Sequence, residues 1–369
     1  MSGKATSLSQ LALQKFKRNF WGVFSFSFLV LCGLAAVFGY AIAPDDSRNA
    51  NQMHISIHSK QPGFEVQMLH IPSGVVATQS KLTDFFFGKE NTDTAVPINN
   101  YTITSSGITI EEYVEGNIQG MLREYPLTAF PLAQTPADIE KKYITTQKFL
   151  LGTDKYGRDL LSRMLVGMRI SLSIGFVAVF ISLLIGISLG AIAGYYGGKI
   201  DTLIMWLINV TWSIPTLLLV IAITLTLGKG YWQVFIAVGL TMWVEVARVV
   251  RGQVMGVKQL QFVTAARALG FSDFRIVLKH IIPNVLAPVI VISAANFAGA
   301  ILIESGLSFL GIGAQPPTPS WGAMIKDHYS YIILGKAYLA VIPGLAIMSL
   351  VMAFMMMGNA LRDALDVKG

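Results

Sequence analysis

Six long apolar runs limit what this chain can fold into more than any other feature of its sequence. They cover residues 21–43, 170–195, 203–227, 231–250, 285–303 and 339–358. Each run is close to the roughly 20 apolar residues that an α-helix needs to cross the hydrocarbon core of a bilayer. The first run is too long for the core of a signal peptide and is followed by Pro44, so we expect it to be retained. We predict an all-α polytopic membrane protein with six transmembrane helices, the third kinked at Pro215.

The composition agrees with a membrane protein and argues against other classes. Charged residues make up 13% of the 369-residue chain, whereas soluble domains contain about 25%. The net charge of +7 comes from Lys and Arg beside the apolar runs and not from a basic stripe, so we expect no nucleic-acid partner. The one cysteine, Cys32, lies inside the first run, so no disulfide framework or Cys-rich metal site can form.

Positive charge orients the predicted helices, because Lys and Arg are enriched in cytoplasmic loops. If the N-terminus is cytoplasmic, the cations before the first run, between the fourth and fifth runs and after the sixth all lie inside. Four cations just before the second run are then outside: Lys155, Arg158, Arg163 and Arg169. We retain this topology, which gives a cytoplasmic N-terminal segment at residues 1–20 and a cytoplasmic tail at residues 363–369.

Residues 44–150 differ in character from the apolar runs. They are polar, and three segments alternate polar and apolar residues: 54–58, 64–71 and 101–110. Alternation with period two predicts β-strands, so we expect a small β-rich extracytoplasmic domain inserted after the first helix. Within it, Thr135 followed by Pro136 predicts the start of a short helix that extends to Tyr143.

The segment at residues 151–169 carries glycines and charges in a defined order. Gly152 and Gly157 have the spacing that begins a phosphate-binding loop, but Arg158-Asp159 stands where Lys and Ser or Thr are needed. We therefore predict no ATP site in this chain. The segment can be an interfacial lead-in helix with snorkelling charges, or it can shape the external mouth of a pathway. The candidate mouth residues are Gly152, Thr153, Asp154, Gly157, Arg158, Asp159, Ser162 and Arg163.

The loop at residues 251–283 has the pattern of a helical hairpin. An Ala-rich helix should end at Gly270, which can adopt the left-handed conformation. Ser272 can cap a second helix, which Pro283 should terminate at the membrane. Three cations could contribute charge for docking another protein: Arg248, Arg251 and Arg267. The alternative is an ordinary cytoplasmic loop.

Two acids lie within or at the edge of the predicted spans, and each is a candidate functional residue. Glu245 has Arg248 three residues later, and we expect the two to pair in a structural role. Glu304, beside Ser305, could line a pathway, and packing against a partner subunit is the alternative. His54 and His58 would share one strand face with His70 nearby, but the carboxylates and spacing of a metal site are missing, so we expect none.

The hairpin resembles the EAA coupling motif of bacterial ABC importer permeases, in which Ala-Ala is followed by Gly and later by Pro. Those positions are occupied by Ala265, Ala266, Gly270 and Pro283. Thr264 stands where the motif usually has Glu, which removes one charged contact. Further segments resemble the second permease subunit of dipeptide, oligopeptide and nickel importers: 151–154, 243–253, 304–311, 319–322 and 361–366.

This resemblance implies the type I ABC importer permease fold, with a transmembrane core at residues 170–362, in the bacterial inner membrane. It also implies a heterodimer with a related permease, two cytoplasmic ATPase subunits and an extracytoplasmic substrate-binding protein. ATP and Mg would be held by the ATPases, and this chain would hold no cofactor and catalyse no reaction. Residues 264–267 and 270 would belong to the coupling helix that contacts the ATPase.

The expected function is ATP-driven import of peptides through a pathway of which this chain forms half. The same machinery could import nickel or another small solute. A membrane-anchored sensor or scaffold and an ion-driven transporter are the rival classes. The first would need no ATPase partner, and the second would need several buried charges near the middle of the spans.

Overall fold

The computed structural model of the chain is a bundle of long helices that carries a small inserted sheet. It describes residues 8–72, 80–90, 93–116, 118–133, 135–228 and 230–365. In chain order the α-helices are α1 (Leu8–Arg18), α2 (Phe20–Val37), α3 (Gly39–Ile42), α4 (Lys81–Phe87), α5 (Pro136–Tyr143), α6 (Leu160–Tyr196), α7 (Gly198–Ser213), α8 (Thr216–Leu227), α9 (Tyr231–Val257), α10 (Gln261–Ala268), α11 (Asp273–Ile276), α12 (Ile282–Phe309), α13 (Trp321–His328) and α14 (Tyr338–Leu365).

Among the described residues, five helices are long and apolar enough to cross a membrane, and a bent pair can supply a sixth span. The five contain α2, α6, α9, α12 and α14, and the bent pair is α7 and α8. The prediction of a polytopic helical membrane protein is confirmed. Residues 1–7 and 366–369, parts of the predicted N-terminal segment and tail, lie outside the described residues.

The third span is broken at Pro215. Proline lacks a backbone N–H and disfavours helical conformation in the residue before it. Ile214 accordingly has an extended backbone, with φ −90° and ψ 128°. α7 and α8 meet there at 91°. The predicted kink is therefore a complete break in the helix.

The tightest helix contact joins α6 to α9. Gly186, Gly190 and Gly194 follow one another at four-residue intervals on one face of α6. A Cβ built on Gly190 would lie 2.5 Å from the carbonyl oxygen of Ala247 in α9. Small residues at such spacing allow close backbone approach in membranes. The backbones of α6 and α9 are thus in direct contact.

The inserted region contains one antiparallel sheet. Its strands are β1 (Phe64–Ile71), β2 (Thr94–Thr104), β3 (Gly107–Glu112), β4 (Leu122–Pro126) and β5 (Ile144–Phe149), in the spatial order β4-β3-β2-β1-β5. α5 covers one face over Leu69 and Ile98, and Ile57 covers Met68 on the other. The β-rich insertion is confirmed, as is the helix that begins after Thr135.

Two of the three predicted strand segments differ in the structure. Ile55–Ile57 is a 3-10 turn and not a strand. Alternation over five residues is too short to specify a strand, and β1 already has β2 and β5 as neighbours. Residues 101–110 form the two arms of a hairpin, because the chain reverses between Thr104 and Gly107.

The helix that follows Gly270 does not stop at Pro283, so that prediction is wrong. A π-helical turn at Val277–Ile281 joins α11 to α12, and together they form one continuous helix, Asp273–Phe309. Pro283 lies in the first turn of α12, where a missing N–H is tolerated because the π turn has already shifted the hydrogen-bond register. α9 also extends beyond the predicted span, to Val257.

The predicted lead-in helix at residues 151–169 is likewise not a separate element. Residues 151–159 form a loop, and α6 runs unbroken from Leu160 to Tyr196. Asp159 caps α6, since its Oδ2 accepts a hydrogen bond from the Ser162 N–H at 2.8 Å. The first span, predicted at 21–43, consists of α2 and the short α3.

The sheet and the 251–283 loop lie at opposite ends of the bundle. α6 starts close to the end of β5, and its last turn contacts α11 through Tyr195 and Asp273. Its 37 residues correspond to about 55 Å at 1.5 Å per residue. We call these the sheet end and the hairpin end. α1 and the last turn of α14 are at the hairpin end, because Gly22 abuts Ala360 and Arg362 lines a groove with Gln253.

The glycine face of α6 gives a first testable prediction. Gly190→Ala should destabilise the protein by about 1–3 kcal/mol, because the new methyl group must displace the α9 backbone. Gly33→Ala in α2 is the matched control, since a Cβ there meets no atom within 4 Å. Thermal unfolding in detergent, followed by fluorescence-detected gel filtration, measures both. Equal transition temperatures for the two variants would contradict this account of the interface.

Candidate functional site

The hairpin, defined as residues 258–281, projects from the bundle between α9 and α12. α10 ends before Gly270, which has a φ of +79° as predicted, and Ser272 precedes α11 in extended conformation. Thr264, Ala265 and Arg267 are exposed on α10. Five large apolar side chains of the hairpin are also exposed: Leu260 (49%), Phe262 (40%), Leu269 (74%), Phe274 (74%) and Leu278 (46%).

The inner face of the hairpin is fixed to the bundle. Val263, Ala266 and Ile276 are buried and belong to one apolar cluster with Tyr195 of α6 and Val254 of α9. Ala266 is 4% exposed, so it contributes to this packing rather than to the outer surface. Displacing the hairpin would therefore move the ends of both α6 and α9.

Polar contacts around Tyr195 strengthen the same attachment. Its hydroxyl donates to Asp273 Oδ1 at 2.5 Å and accepts from Arg267 at 3.3 Å. The Lys258 ammonium group donates to the Tyr195 carbonyl oxygen at 2.5 Å. One side chain of α6 is thus tied to both arms of the hairpin.

Two of the three predicted docking cations face the bundle instead. Arg251 forms a bidentate ion pair with Asp201 of α7, at 2.5 and 2.6 Å. Arg248 lies over the ring of Trp212, 3.6 Å from its centroid. Arg248 does not pair with Glu245 as predicted, because Trp212 holds it on the α7 side. Of these three cations, Arg267 alone is exposed, and it lies on the hairpin with the exposed Arg275 and Lys279.

At the sheet end, the 151–163 segment forms a buried charge cluster. Arg158 Nε lies 2.6 Å from Asp154 Oδ2, and Arg163 Nε lies 3.6 Å from the same oxygen. All three residues are at most 4% exposed. Snorkelling charges would lie at the surface with their head groups in water. That interpretation of the segment is therefore wrong.

The same segment ties down the connecting segment (residues 43–63), which leads into the sheet. The Thr153 hydroxyl donates to the Ile57 carbonyl at 2.5 Å and accepts from the Lys60 N–H at 2.9 Å. Arg158 donates to Asn51 Oδ1 at 3.0 Å, and the Asp45 N–H donates to the Ser162 hydroxyl at 2.9 Å. The two chain segments that flank the insertion are thus joined to each other.

Gly152 and Gly157 are required by this contact. Both have left-handed φ values, +78° and +73°, which glycine adopts without steric cost. A Cβ on Gly152 would also collide with the Lys60 carbonyl oxygen, and one on Gly157 with that of His54. The glycine spacing that imitates a phosphate loop serves backbone packing instead.

The cations that did not fit the charge rule have partners here. Lys155 pairs with Asp327 at 3.0 Å, and Arg169 donates to the Phe86 carbonyl. Asp159 lies in the same cluster, and burial raises the pKa of its carboxyl, although hydrogen bonds from the Ser162 hydroxyl and N–H oppose the shift. Pairing removes much of the positive charge that would disfavour an extracytoplasmic location.

Glu304 and Ser305 lie beneath α13. Glu304 is fully buried and accepts a hydrogen bond from the Ser308 hydroxyl at 2.6 Å. The backbone of Gly322 packs against Ser305, whose carbonyl oxygen would lie 2.5 Å from a Cβ added at Gly322. The neighbouring Trp321 Nε1 donates to the Met164 carbonyl at 3.0 Å. Neither Glu304 nor Ser305 faces an open pathway in this conformation.

The histidines do not form a metal site in the described part of the chain, where no group of three potential metal ligands occurs. His54 and His58 flank a 3-10 turn rather than sharing a strand face. His54 is buried, and burial lowers the pKa of its imidazole.

Sequence reasoning missed several residues that complete these sites. The distant partners of the 151–163 segment are Asp45, Asn51 and Asp327. The hairpin is held by Tyr195, and Arg251 near the end of α9 is held by Asp201. The only available signal was an excess of cations before the second apolar run, which required acidic partners somewhere in the chain.

The buried cluster gives a second prediction. Asp154→Asn should destabilise the protein by about 3–5 kcal/mol, because it leaves two buried guanidinium groups without their counter-ion. Glu65→Gln is the control, since it breaks an ion pair with Lys148 whose side chains are half exposed and should cost at most about 1 kcal/mol. Chemical unfolding in detergent measures the difference, and a loss below 1 kcal/mol for Asp154→Asn would count against the cluster's structural role.

Comparison with known proteins places these features in a family. Residues 186–367 match the model of the binding-protein-dependent transport system inner membrane component, and residues 7–62 match the N-terminal transmembrane domain of oligopeptide transport permease C. The glutathione transport system permease protein GsiD of Pectobacterium atrosepticum is 41% identical over 218 residues, which are 59% of this chain and 72% of the relative. The dipeptide transport system permease protein DppC of Bacillus subtilis is 41% identical over 217 residues, 59% of this chain and 68% of the relative.

A solved structure of the MetNI methionine ABC transporter in an inward-facing conformation has 18% identity and a TM-score of 0.46, covering 55% of this chain and 95% of that chain. The chain belongs to the inner membrane components of binding-protein-dependent transport systems, and it is a membrane-spanning permease subunit of an ABC importer.

Proposed function

We propose that this chain forms half of the translocation pathway of a peptide importer and that its hairpin receives the movement of a separate ATPase. The observation that carries the proposal is the continuity of the hairpin with the spans. α11 runs without interruption into α12, and α10 follows α9 after a short link. A force on the hairpin would reach both spans directly.

The glycine contact extends this movement to a third helix. α6 and α9 are in backbone contact along Gly186, Gly190 and Gly194, and Tyr195 ties α6 to the hairpin. The three helices would then tilt together, which is the motion that alternating access requires. Arg251 and Asp201 would carry part of it to α7.

The outer face of the hairpin suits docking in an apolar groove. Small residues at Thr264 and Ala265 leave the α10 backbone accessible, and Leu269 and Phe274 are among its most exposed apolar side chains. Exposed apolar side chains of this kind favour association when a partner's groove removes them from water. With Thr264 in place of an acid, we expect the contact to depend on shape and apolar burial, with Arg267 as its cation.

Charge distribution supports a cytoplasmic hairpin end. The cations of α1 and Arg362 of α14 lie there with the hairpin cations. The sheet end would be extracytoplasmic, where its inserted domain could meet a substrate-binding protein. This arrangement has both termini inside the cell.

Peptides are the substrate class that the relatives support, since their names refer to dipeptide and glutathione transport. A complete importer would add a related permease to form the other half of the pathway, and two ATPase subunits. Those ATPases would bind ATP and Mg, for which this chain offers no phosphate-binding loop.

The docking surface can be tested with charge. Leu269→Asp and Phe274→Asp should leave the fold intact because both side chains are 74% exposed, but they should abolish co-purification of the ATPases and lower ATP-driven uptake at least tenfold. Ile333→Asp at the sheet end, where the side chain is 91% exposed, is the control. Retention of the ATPases by both hairpin variants would refute the coupling assignment.

Orientation can be tested by cysteine labelling. In a Cys32→Ser background, Leu269→Cys should react with a membrane-impermeant maleimide only when the cytoplasmic face is opened, whereas Ile333→Cys should react in intact cells. The reverse pattern would invert the proposed topology.

A further inference from the structure

A cavity with a mostly apolar lining and a few polar side chains lies about midway along the bundle, where the broken span meets α9 and α12. Its volume is about 350 Å³. The polar or aromatic residues that matter are Thr211, Trp212 and Thr216 of the broken span, Thr241 and Glu245 of α9, and Asn296 of α12. Glu245 and Asn296 both lie near the centres of their helices, Tyr231–Val257 and Ile282–Phe309.

Glu245 is an exposed carboxylate in the middle of a span. No salt bridge within the described residues includes it, and Arg248 is held by Trp212 instead. A carboxylate that faces lipid at this depth would cost several kcal/mol. The face that carries Glu245 therefore faces water, a ligand or another protein.

Asn296 is an independent indication of a ligand. It is 2% exposed, and its Nδ2 is buried without a hydrogen-bond acceptor. Buried amide donors nearly always have a hydrogen-bond acceptor, and leaving one without an acceptor is destabilising. The Asn296 side chain lines the same cavity as Glu245, so a ligand oxygen in the cavity could accept the missing hydrogen bond from Asn296 Nδ2.

Positive potential is available beside the acid. Arg248 is one helical turn from Glu245, and its Nε is also buried without an acceptor. α8 begins at Thr216, which lines the cavity, and the first N–H groups of a helix have no partners within it. Beside the Glu245 carboxylate, the donors that line the cavity are therefore Asn296 Nδ2 and the first N–H groups of α8, and Arg248 lies near them outside the lining.

We propose that this cavity is a transient binding site for one end of a zwitterionic peptide in transit. The Glu245 carboxylate accepts hydrogen bonds from the peptide ammonium group, and Asn296 donates to a carbonyl or carboxylate oxygen of the same peptide. The volume is at the lower end of the roughly 300–1,000 Å³ of small-molecule sites, which is enough for a dipeptide or for one end of a longer peptide. This inference rests on the proposed import function and adds a site to it.

The test uses the importer purified with its co-expressed partner subunits and reconstituted in proteoliposomes, with its binding protein outside and ATP available to the ATPases. The probe is radiolabelled dialanine. Glu245→Gln should lower uptake at least tenfold, Asn296→Leu should lower it about three- to tenfold, and Glu245→Asp should recover part of the loss. Glu124→Gln on the exposed strand β4 is the control and should transport at the wild-type rate.

Two further measurements separate the outcomes. The variants must retain the second permease on purification and must retain ATP hydrolysis stimulated by the binding protein. Loss of the second permease from Glu245→Gln would make Glu245 an inter-subunit contact and overturn the inference, as would uptake within twofold of wild type. If wild-type protein shows no ATP-dependent dialanine uptake, the proposed function itself fails, and the inference with it.

Discussion

The backbone contact between α6 and α9 determines how the rest of the molecule is connected. α6 is long enough to reach from the charge cluster at the sheet end to the hairpin, and α9 carries the first arm of that hairpin. Because glycines remove the side chains between them, sliding of one helix on the other would meet the Val246 and Val250 side chains that fill the glycine face. The pair therefore acts as one body, whereas the backbone changes direction at the Pro215 break and the Gly270 turn.

The sheet is attached in a way that keeps it outside this body. Its flanking segments are joined by Thr153 and Lys60, so the chain leaves and re-enters the bundle at nearly the same place. Because the two ends of the insertion are joined, the insertion forms a closed loop, and its length has little effect on the packing of the helices. Buried pairing of Asp154 with Arg158 fixes that joint. A polar domain of this size can consequently be inserted without changing the path from hairpin to spans.

Local features of this fold could be predicted from the sequence, and distant partners could not. Pro215, Gly270 and the Thr135-Pro136 cap act through their own backbone, so their residue types were sufficient. Arg158 pairs with Asn51 across more than a hundred residues, and no pattern in either segment specifies the other. The prediction that Pro283 ends the helix was wrong because a π turn at Val277–Ile281 precedes it and the helix continues. The hairpin could be located by its Ala-Ala and Gly spacing, whereas the contacts of Arg248 and Arg251 depend on Trp212 and Asp201 in another helix.

Glu245 and Glu304 show why the position of an acid in a span does not define its role. Burial of a carboxylate must be compensated in every conformation that the protein visits. Glu304 accepts a hydrogen bond at Oε1 from Ser308 of its own helix, while its Oε2 is buried without a partner among the described residues. Glu245 has no such partner in the described part of the chain and lies beside the joint at which α7 and α8 separate. Its compensation has to come from outside the chain, and it changes as the bundle tilts. Glu304 is thus part of the packing of its own chain, whereas Glu245 is available to a peptide that moves through the proposed pathway.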